Sequence, residues 1–269
     1  MSRALFGRSH ELAEIGSRIE HSRLVTVVGP GGVGKTALAH AAAERLGDRF
    51  PQGVHVVDLT RVADPAAVSG ALAAQLGFDS FDALIASPAD HPALVLIDNC
   101  EHLLDATAAV VARLLGACLQ PTVLATSRSP LELPGETVVA LAPLPLPKPG
   151  DDVATSPPVE LFLQRCRDAG AEPPIADLEA AVDLCRRLDG LPLAIEIAAA
   201  RTRTMTIAEI AARLEHTVEV LDRPRFRGDP RHRGVAAAIR WSCDLLTPSA
   251  LALLEQLAVF AGPFTRDVA

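Results

Sequence analysis

The sequence contains very little lysine and no apolar run long enough to cross a membrane. Of its 25 lysines and arginines only Lys35 and Lys148 are lysines, so composition alone does not account for a lysine at position 35. No apolar stretch approaches the roughly 20 residues of a transmembrane helix, and the N-terminus lacks the basic and apolar regions of a secretion signal. We therefore expect a cytosolic protein without a membrane segment.

The cysteines lack the spacing of metal-binding or redox pairs. None belongs to a CxxC motif or stands with histidines at zinc-ligand spacing. Each lies singly within a segment patterned as a helix or a strand end: Cys100, Cys118, Cys166, Cys185 and Cys243. The sequence therefore predicts buried, reduced thiols.

The size and charge of the chain favour a modular globular protein. With 269 residues, 49% of them hydrophobic, it can bury the core of one large domain and carry smaller attachments. Its net charge of −8 is of the wrong sign to attract a phosphate backbone. We expect no direct nucleic-acid binding from this segment.

Apolar strands alternate with helices in the first half of the chain. Each strand is almost continuously apolar, as strands buried on both faces should be. The predicted strands are 24–28, 54–58, 94–98, 122–126 and 137–141, and the helices are 35–46, 65–77, 79–87 (capped by Asp79) and 101–119. This α/β alternation predicts a parallel sheet with helices on both faces.

Prolines between 143 and 158 mark the end of this first unit. We predict a nucleotide-binding domain over 1–150 and a helical domain over 151–221, with helices at 158–169, 177–189, 192–203 and 207–215. An arginine-rich stretch at 222–233 fits a solvated interdomain linker with Arg231 or Arg233 near the nucleotide; the alternative is that it faces nucleotide phosphates or DNA. The remaining segment to 269 carries helices at 235–246 and 249–260, too few for an independent core, so the sequence looks cut inside a domain.

The segment GPGGVGKT at 29–36 matches the phosphate-loop pattern GxxxxGK[ST] between a buried strand and a helix. Its glycines allow a nest of N–H groups around a phosphate, and the following helix adds the positive end of its dipole. We expect Lys35 to reach the phosphates and the Thr36 hydroxyl to bind Mg²⁺. The predicted nucleotide-binding residues of this loop are Gly29, Gly31, Gly32, Val33, Gly34, Lys35, Thr36 and Ala37.

Three charged residues follow neighbouring strands. Asp98 ends an apolar strand, where an acid can meet a metal at the phosphate loop; the alternative is a helix cap. Asn99 stands where a second acid is common, which leaves Glu101 as a candidate base or as a residue that stabilises a helix dipole. Arg128 follows the next strand and is a candidate γ-phosphate sensor or a solvated charge.

Five motifs in order resemble a known family over essentially the whole chain. They are GPGGVGKT, LVLIDNCEHLLDA at 94–106, LATSRSPL at 124–131, GLPLAIEIAAAR at 190–201 and the segment 231–265. Together they are similar to the STAND class of signalling ATPases. The nearest resemblance is to the NB-ARC-like branch that forms the central ATPase of LuxR-type and SARP-type transcriptional regulators.

The resemblance implies an adenine nucleotide held between the sheet, the helical domain and a winged helix. LFGRSHEL at 5–12 looks like the opening motif near the adenine and ribose, which points to Phe6, Gly7 and Arg8. GLPL is similar to the motif that brings Pro192 against the nucleotide, although a glycine and a proline also make a plain helix break. Residues 235–264 look like the start of the winged helix, with Trp241 and Phe260 in its core.

The sequence therefore predicts an ATP/ADP-binding, Mg²⁺-dependent switch with slow hydrolysis, whose partners are sensor and output domains or other subunits. Nucleotide-dependent oligomerisation is a further expectation. One alternative is a metabolic phosphotransferase, whose acid or base would have to come from Asp64, Asp79, Asp82, Asp90 or His91. Another alternative is a nucleotide-free interaction scaffold, against which the intact Lys35 and Thr36 argue.

Overall fold

The computed structural model describes residues 5–87, 93–148, 150–171, 178–214, 243 and 246–258. Its sheet half consists of α1 (Ser9–His21), β1 (Leu24–Val28), α2 (Lys35–Leu46), β2 (Val54–Asp58), α3 (Ala67–Gln75), α4 (Phe81–Ala86), β3 (Leu94–Asp98), α5 (Leu104–Ala117), β4 (Thr122–Ser127) and β5 (Glu136–Ala140). The described residues then form five further helices: α6 (Pro157–Asp168), α7 (Leu178–Arg187), α8 (Pro192–Arg201), α9 (Ile207–Leu214) and α10 (Pro248–Leu257).

The five strands form one parallel sheet in the order β2-β3-β4-β1-β5. β4 therefore lies between the strand that leads into the phosphate loop and the strand that ends in Asp98. The parallel sheet confirms the predicted α/β P-loop fold. In register, Val28 of β1 is level with Ser127 of β4, so both strands end at the same edge of the sheet.

Helices cover both faces of the sheet, as predicted. α3, α4 and α5 pack on one face, where Leu72, Phe81 and Val111 are buried. α1 and α2 pack on the other, with Ile15 and Leu38 in contact with the sheet core. α1 was not predicted, because its apolar residues are few; Ile15 and Ile19, one turn apart, are its only buried side chains.

The helices α6 to α9 enclose a second core. Phe162 and Ile195 are fully buried there, and α6 packs mainly on α8 and α7. α6 begins with prolines in its first turn, which suit a helix start because their missing N–H has no intrahelical partner there. The four predicted helices of this region agree with α6 to α9 to within about two residues.

Two local predictions were wrong. Ser80, not Asp79, caps α4, since its hydroxyl accepts a hydrogen bond from the Ala83 N–H at 3.1 Å. The helix predicted over 101–119 begins at Leu104, because Asn99 has a φ of +68° and a short 3₁₀ turn follows it. This turn directs the Asn99 side chain toward His102, at 3.3 Å.

Four of the five cysteines are buried, as predicted, and the fifth is not. Cys100, Cys118, Cys166 and Cys185 are buried free thiols, and Cys243 is half-buried. Burial, with the neighbouring carboxylates of Glu101 and Asp98, raises the pKa of the Cys100 thiol well above its usual value. Burial also raises the pKa of Cys185 to about 12. Both thiols therefore remain protonated and unreactive near neutral pH.

The last predicted unit lies largely outside the described residues. The arginine-rich stretch 222–233, with Arg231 and Arg233, belongs to this part, as do Trp241, Phe260 and most of the predicted helix 235–246. α10 corresponds to the predicted helix 249–260, and the winged helix stays a prediction. Within the described ranges, no helix has the length and apolarity that a membrane crossing needs.

Candidate functional site

The phosphate loop turns sharply between β1 and α2. Gly32 and Gly34 have φ values of +78° and +101°, in the left-handed region that glycine adopts without strain. Gly29 has no room for a side chain, because a β-carbon there would lie 2.5 Å from the Leu141 carbonyl oxygen. Val33 is fully buried in the core behind the loop, so only its backbone can face a ligand.

The N-terminus of α2 opens onto free space. Gly34 is the N-cap, and no side chain of the described residues caps this helix start. A β-carbon on Gly34 would have no atom within 4 Å. The first N–H groups of a helix have no intrahelical acceptor and carry the positive end of the dipole, so this concave loop fits a phosphate. Gly31 and the exposed Ala37 flank it.

The Lys35 ammonium lies across the loop rather than in solvent. Lys35 is 8% exposed, and its Nζ donates hydrogen bonds to the carbonyl oxygens of Gly29 at 2.8 Å and Pro30 at 3.1 Å. A positive charge is thereby held at the mouth of the nest of N–H groups. This position suits the predicted contact with phosphate oxygens.

Asp98 meets Thr36 at the edge of the sheet. Thr36 Oγ1 donates a hydrogen bond to Asp98 Oδ1 at 2.9 Å, and Asp98 is 6% exposed. The carboxylate therefore points at the loop and does not cap the following turn. A hydroxyl and a carboxylate are the hard oxygen ligands that Mg²⁺ prefers, so the pair fits the metal predicted there.

Thr126, at the end of β4, holds this carboxylate in place and was not predicted. Its Oγ1 donates to Asp98 Oδ1 at 2.5 Å and accepts a hydrogen bond from the Asn99 N–H at 2.9 Å. Thr36 and Thr126 thus bond to the same oxygen and fix the rotation of the carboxylate. The segment LATSRSPL did carry a signal, because Thr126 is a polar residue at the end of a buried strand. Only Arg128 of this segment was predicted to lie at the site.

Removing the Thr126 hydroxyl is expected to weaken metal-dependent binding. Thr126→Val keeps the shape of the side chain but leaves Asp98 with one hydroxyl partner. Loss of such an outer-shell bond typically costs about 10- to 100-fold in metal affinity. We expect the Mg²⁺ concentration that half-saturates its effect on nucleotide binding to rise by about that factor, measured by titration calorimetry.

Thr26 supplies the matched control for this change. It lies on β1, is fully buried, and its hydroxyl has no hydrogen-bond partner among the described residues. Thr26→Val should leave the Mg²⁺ dependence unchanged and the stability equal or higher, because it removes an unsatisfied hydroxyl. Equal Mg²⁺ dependence in Thr126→Val and Thr26→Val would exclude a positioning role for Thr126.

The side chains of Glu101 and Arg128 form an ion pair. Arg128 Nε lies 3.4 Å from Glu101 Oε1, and the two side chains are 19% and 8% exposed. Neither the predicted base role of Glu101 nor its predicted role at a helix dipole explains this ion pair. Arg128 is not the solvated charge of the alternative prediction.

Arg8 links the opening motif to the loop. Its Nη2 donates to the carbonyl oxygens of Ala142 at 2.7 Å and Val33 at 3.3 Å, and its Nη1 pairs with Glu11 at 2.6 Å. Gly7, with φ +62°, lies close to Pro157 at the start of α6. Phe6 packs against the helical core. The predicted contacts of this motif with adenine and ribose stay predictions.

The GLPL motif contacts the phosphate loop directly. Leu193 N–H donates to the Gly32 carbonyl oxygen at 3.1 Å, and a β-carbon on Gly32 would lie 2.9 Å from Leu193 Cβ. Pro192, the predicted nucleotide contact, is half-buried in the first turn of α8. Leu193 was not predicted to lie at the site, because its hydrogen-bond partner Gly32 is 161 residues away in the sequence.

Two of the acids that a phosphotransferase would need are engaged elsewhere. Asp64 accepts a hydrogen bond from the Ala66 N–H at 2.9 Å, and Asp82 pairs with the exposed Arg113 at 3.0 Å. Asp90 and His91 lie outside the described residues. No metal-binding group of three or more His, Cys, Asp or Glu occurs in the described part of the chain.

Curated relatives of the chain include bacterial regulators. An uncharacterised protein of Mycobacterium tuberculosis is 37% identical over 269 residues, which cover 97% of this chain and 66% of the relative. A putative HTH-type transcriptional regulator of the same organism is 39% identical over 256 residues, covering 91% and 28%. The regulatory protein AfsR of Streptomyces griseus is 34% identical over 239 residues, covering 80% and 23%.

The chain thus spans just under two thirds of the first of these relatives and about a quarter of the two regulators. No protein-family model matches it.

Solved structures share the fold at low sequence identity. The Walker-type ATPase of Pyrococcus abyssi has a TM-score of 0.55 and 15% identity, covering 78% of this chain and 71% of that one. The STAND protein with a tetratricopeptide repeat sensor from Pyrococcus horikoshii has a TM-score of 0.50 and 17% identity, covering 99% and 36%. With its phosphate loop and sheet order, the chain has the P-loop ATPase fold that it shares with the Walker-type ATPase and the STAND protein, and its sequence relatives include bacterial regulators.

Proposed function

We propose that this chain is an adenine-nucleotide-dependent regulatory switch in which one loop binds both the nucleotide phosphates and the helical unit. The observation that carries the proposal is the hydrogen bond from Leu193 N–H to the Gly32 carbonyl at 3.1 Å. Gly32 belongs to the phosphate loop, whereas Leu193 belongs to α8. Any ligand that changes the loop therefore acts on its contact with the helices.

Different residues of the chain would bind the nucleotide phosphates and the Mg²⁺ ion. The N–H groups of the loop and the start of α2 would hold phosphate oxygens, with Lys35 as the balancing charge. Thr36 and Asp98 would hold Mg²⁺, which supplies charge neutralisation when bound. Phe6, Gly7, Arg8 and Pro192 stay the proposed residues on the nucleoside side.

A switch requires a ligand that interacts differently with two arrangements of the protein. We propose that ADP favours the arrangement in which α8 contacts the loop and that exchange for ATP loosens it. Because the loop is shared, a change in how many phosphates it holds would alter the Gly32–Leu193 contact. The proposed units are the sheet domain over 1–150, the helical domain over 151–221 and a winged-helix segment over 222–269.

Slow hydrolysis is the second part of the proposal. Asn99 stands where a second acid would commonly activate water, and its N–H bonds to Thr126. A site without that second acid would hydrolyse ATP slowly, so each bound ATP would persist as a signal.

The output of the switch would lie outside this chain. Relatives that are regulators are about four times as long as the part that this chain matches. We propose that sensor and output domains of such a regulator respond to the nucleotide state, with nucleotide-dependent oligomerisation as one form of response.

Two measurements on the wild-type chain test this function. Freshly purified protein is denatured and the released nucleotide is identified by chromatography; near-stoichiometric ADP is the expected result. Steady-state turnover of added ATP is then measured, and we expect it to be below the range of about 1 to 1,000 per second that is typical of enzymes. A chain that neither carries nor takes up ADP or ATP would support the scaffold alternative, and fast turnover would exclude the slow switch.

A further inference from the structure

The ion pair between Glu101 and Arg128 is largely buried but poorly formed. Its shortest contact is 3.4 Å, and Glu101 Oε2 and Arg128 Nε have no hydrogen-bond partner among the described residues. Buried polar atoms nearly always have partners, because an unsatisfied one retains its full desolvation cost. A pair in this condition is suited to exchange partners when a better one arrives.

The sheet register brings Arg128 to the phosphate-loop edge. Ser127 is level with Val28 in the β4–β1 pairing, so Arg128 and Gly29 are the next residues on the two neighbouring strands. Gly29 is the first residue of the loop. Arg128 therefore leaves the sheet beside the loop, while its guanidinium is turned toward Glu101 on the side of β3.

Glu101 is held in place by the short turn that follows Asp98 and Asn99. The left-handed conformation of Asn99 begins the short 3₁₀ turn at 100–102, and this turn contains Glu101. Its side chain is only 8% exposed, so its charge depends on Arg128 rather than on water. Removing one partner of such a pair leaves an uncompensated buried charge.

We propose that Glu101 sets the preference of the site between nucleoside diphosphates and triphosphates by holding Arg128 in an ion pair that a terminal phosphate must break. This inference rests on the proposed nucleotide-binding function. A guanidinium matches phosphate oxygens with two parallel N–H donors, so a γ-phosphate is a stronger partner than a carboxylate at 3.4 Å. The diphosphate lacks that phosphate, so it leaves the pair intact.

Glu101 opposes the binding of a nucleoside triphosphate in two ways. Arg128 has to leave its carboxylate, and the carboxylate then remains buried without its cation. ADP incurs neither cost, so the pair lowers the affinity for ATP relative to ADP. Glu101→Gln removes the negative charge while keeping the shape, which frees Arg128 for the phosphate.

The experiment measures Kd for ADP and for a non-hydrolysable ATP analogue, both with Mg²⁺, by titration calorimetry. The quantity compared is the ratio of the two affinities. We expect Glu101→Gln to raise the preference for the analogue by about 5- to 150-fold, the usual range of coupling between linked groups. Arg128→Gln should lower it, and Arg128→Gln with Glu101→Gln should behave as Arg128→Gln alone, since Glu101 acts through Arg128.

The exposed pair Asp82–Arg113 provides the control. Asp82→Asn breaks an ion pair of similar length, 3.0 Å, whose carboxylate is 85% exposed, and should leave the ratio unchanged. Where Glu101→Gln lowers the melting temperature too far for titration, Glu101→Asp tests the same point. It keeps the charge but shortens the side chain, and an analogue preference above that of wild type is expected.

The outcomes separate the two proposals. If the wild-type chain binds neither nucleotide, the proposed function fails and the inference falls with it. If the chain binds both nucleotides but the affinity ratio is unchanged in folded Glu101→Gln or Glu101→Asp, only the inference is overturned. A raised ratio in Glu101→Gln that persists without Arg128 would also overturn it, since the effect would not pass through the ion pair.

Discussion

Lys35→Ala is expected to remove the nucleotide expected to copurify with the chain. It should also weaken the binding of added ADP by about 100-fold or more. Lys35 is 8% exposed and its Nζ lies within 3.1 Å of two loop carbonyl oxygens, so its charge is held at the mouth of the loop. Each hydrogen bond between a charged donor and a phosphate contributes about 1.5–3 kcal/mol. Two such bonds account for the expected loss.

The measurement is the nucleotide content after denaturation, together with titration calorimetry of ADP. Lys148→Ala is the matched control, because Lys148 is exposed and is the only other lysine in the chain. Lys148→Ala should retain the nucleotide in full. If Lys35→Ala kept wild-type nucleotide content while remaining folded, the phosphate-loop assignment would be wrong.

Gly190→Ala is expected to lower the free energy of unfolding more than the same substitution at Gly170. Gly190 has a φ of +64°, and an added β-carbon would lie 2.3 Å from the Leu144 carbonyl oxygen. The Leu144 N–H also donates to the Gly190 carbonyl at 3.0 Å, so neither backbone can move away freely. The left-handed conformation costs about 1–2 kcal/mol, and forcing in the methyl group about 1–3 kcal/mol more.

The free energy of unfolding, from urea denaturation followed by circular dichroism, tests this expectation. Gly170→Ala is the control, because Gly170 has a similar φ of +77° and an added β-carbon there has no atom within 4 Å. Its loss should be limited to the conformational cost of about 1–2 kcal/mol. Equal losses for the two variants would mean that the contact between Gly190 and Leu144 does not constrain the fold.

Gly190 also matters for the proposed switch. It precedes the α8 turn that places Leu193 on Gly32, and it is tied to Leu144 in the connector after β5. The same few residues therefore fix the helical unit against the phosphate loop. A variant that loosens Gly190 should alter the response to nucleotide even where the loop itself is untouched.

The sequence by itself determined the sheet and the phosphate loop. Five apolar runs predicted the five strands to within a residue, because strands buried on both faces must be apolar throughout. The loop was equally local, since glycines, Lys35 and Thr36 act over eight consecutive residues between a strand and a helix. Asp98 was found because it ends a buried strand.

Only the tertiary structure decided which side chains meet across the site. Thr126 bonds to Asp98, 28 residues away, and Leu193 bonds to Gly32 from a separate helical core. Glu101 and Arg128, predicted for separate roles, form one ion pair. Hydrophobic periodicity tells which face of an element is buried, but a polar partner depends on how neighbouring strands align, and that alignment is set by the packing of the whole sheet.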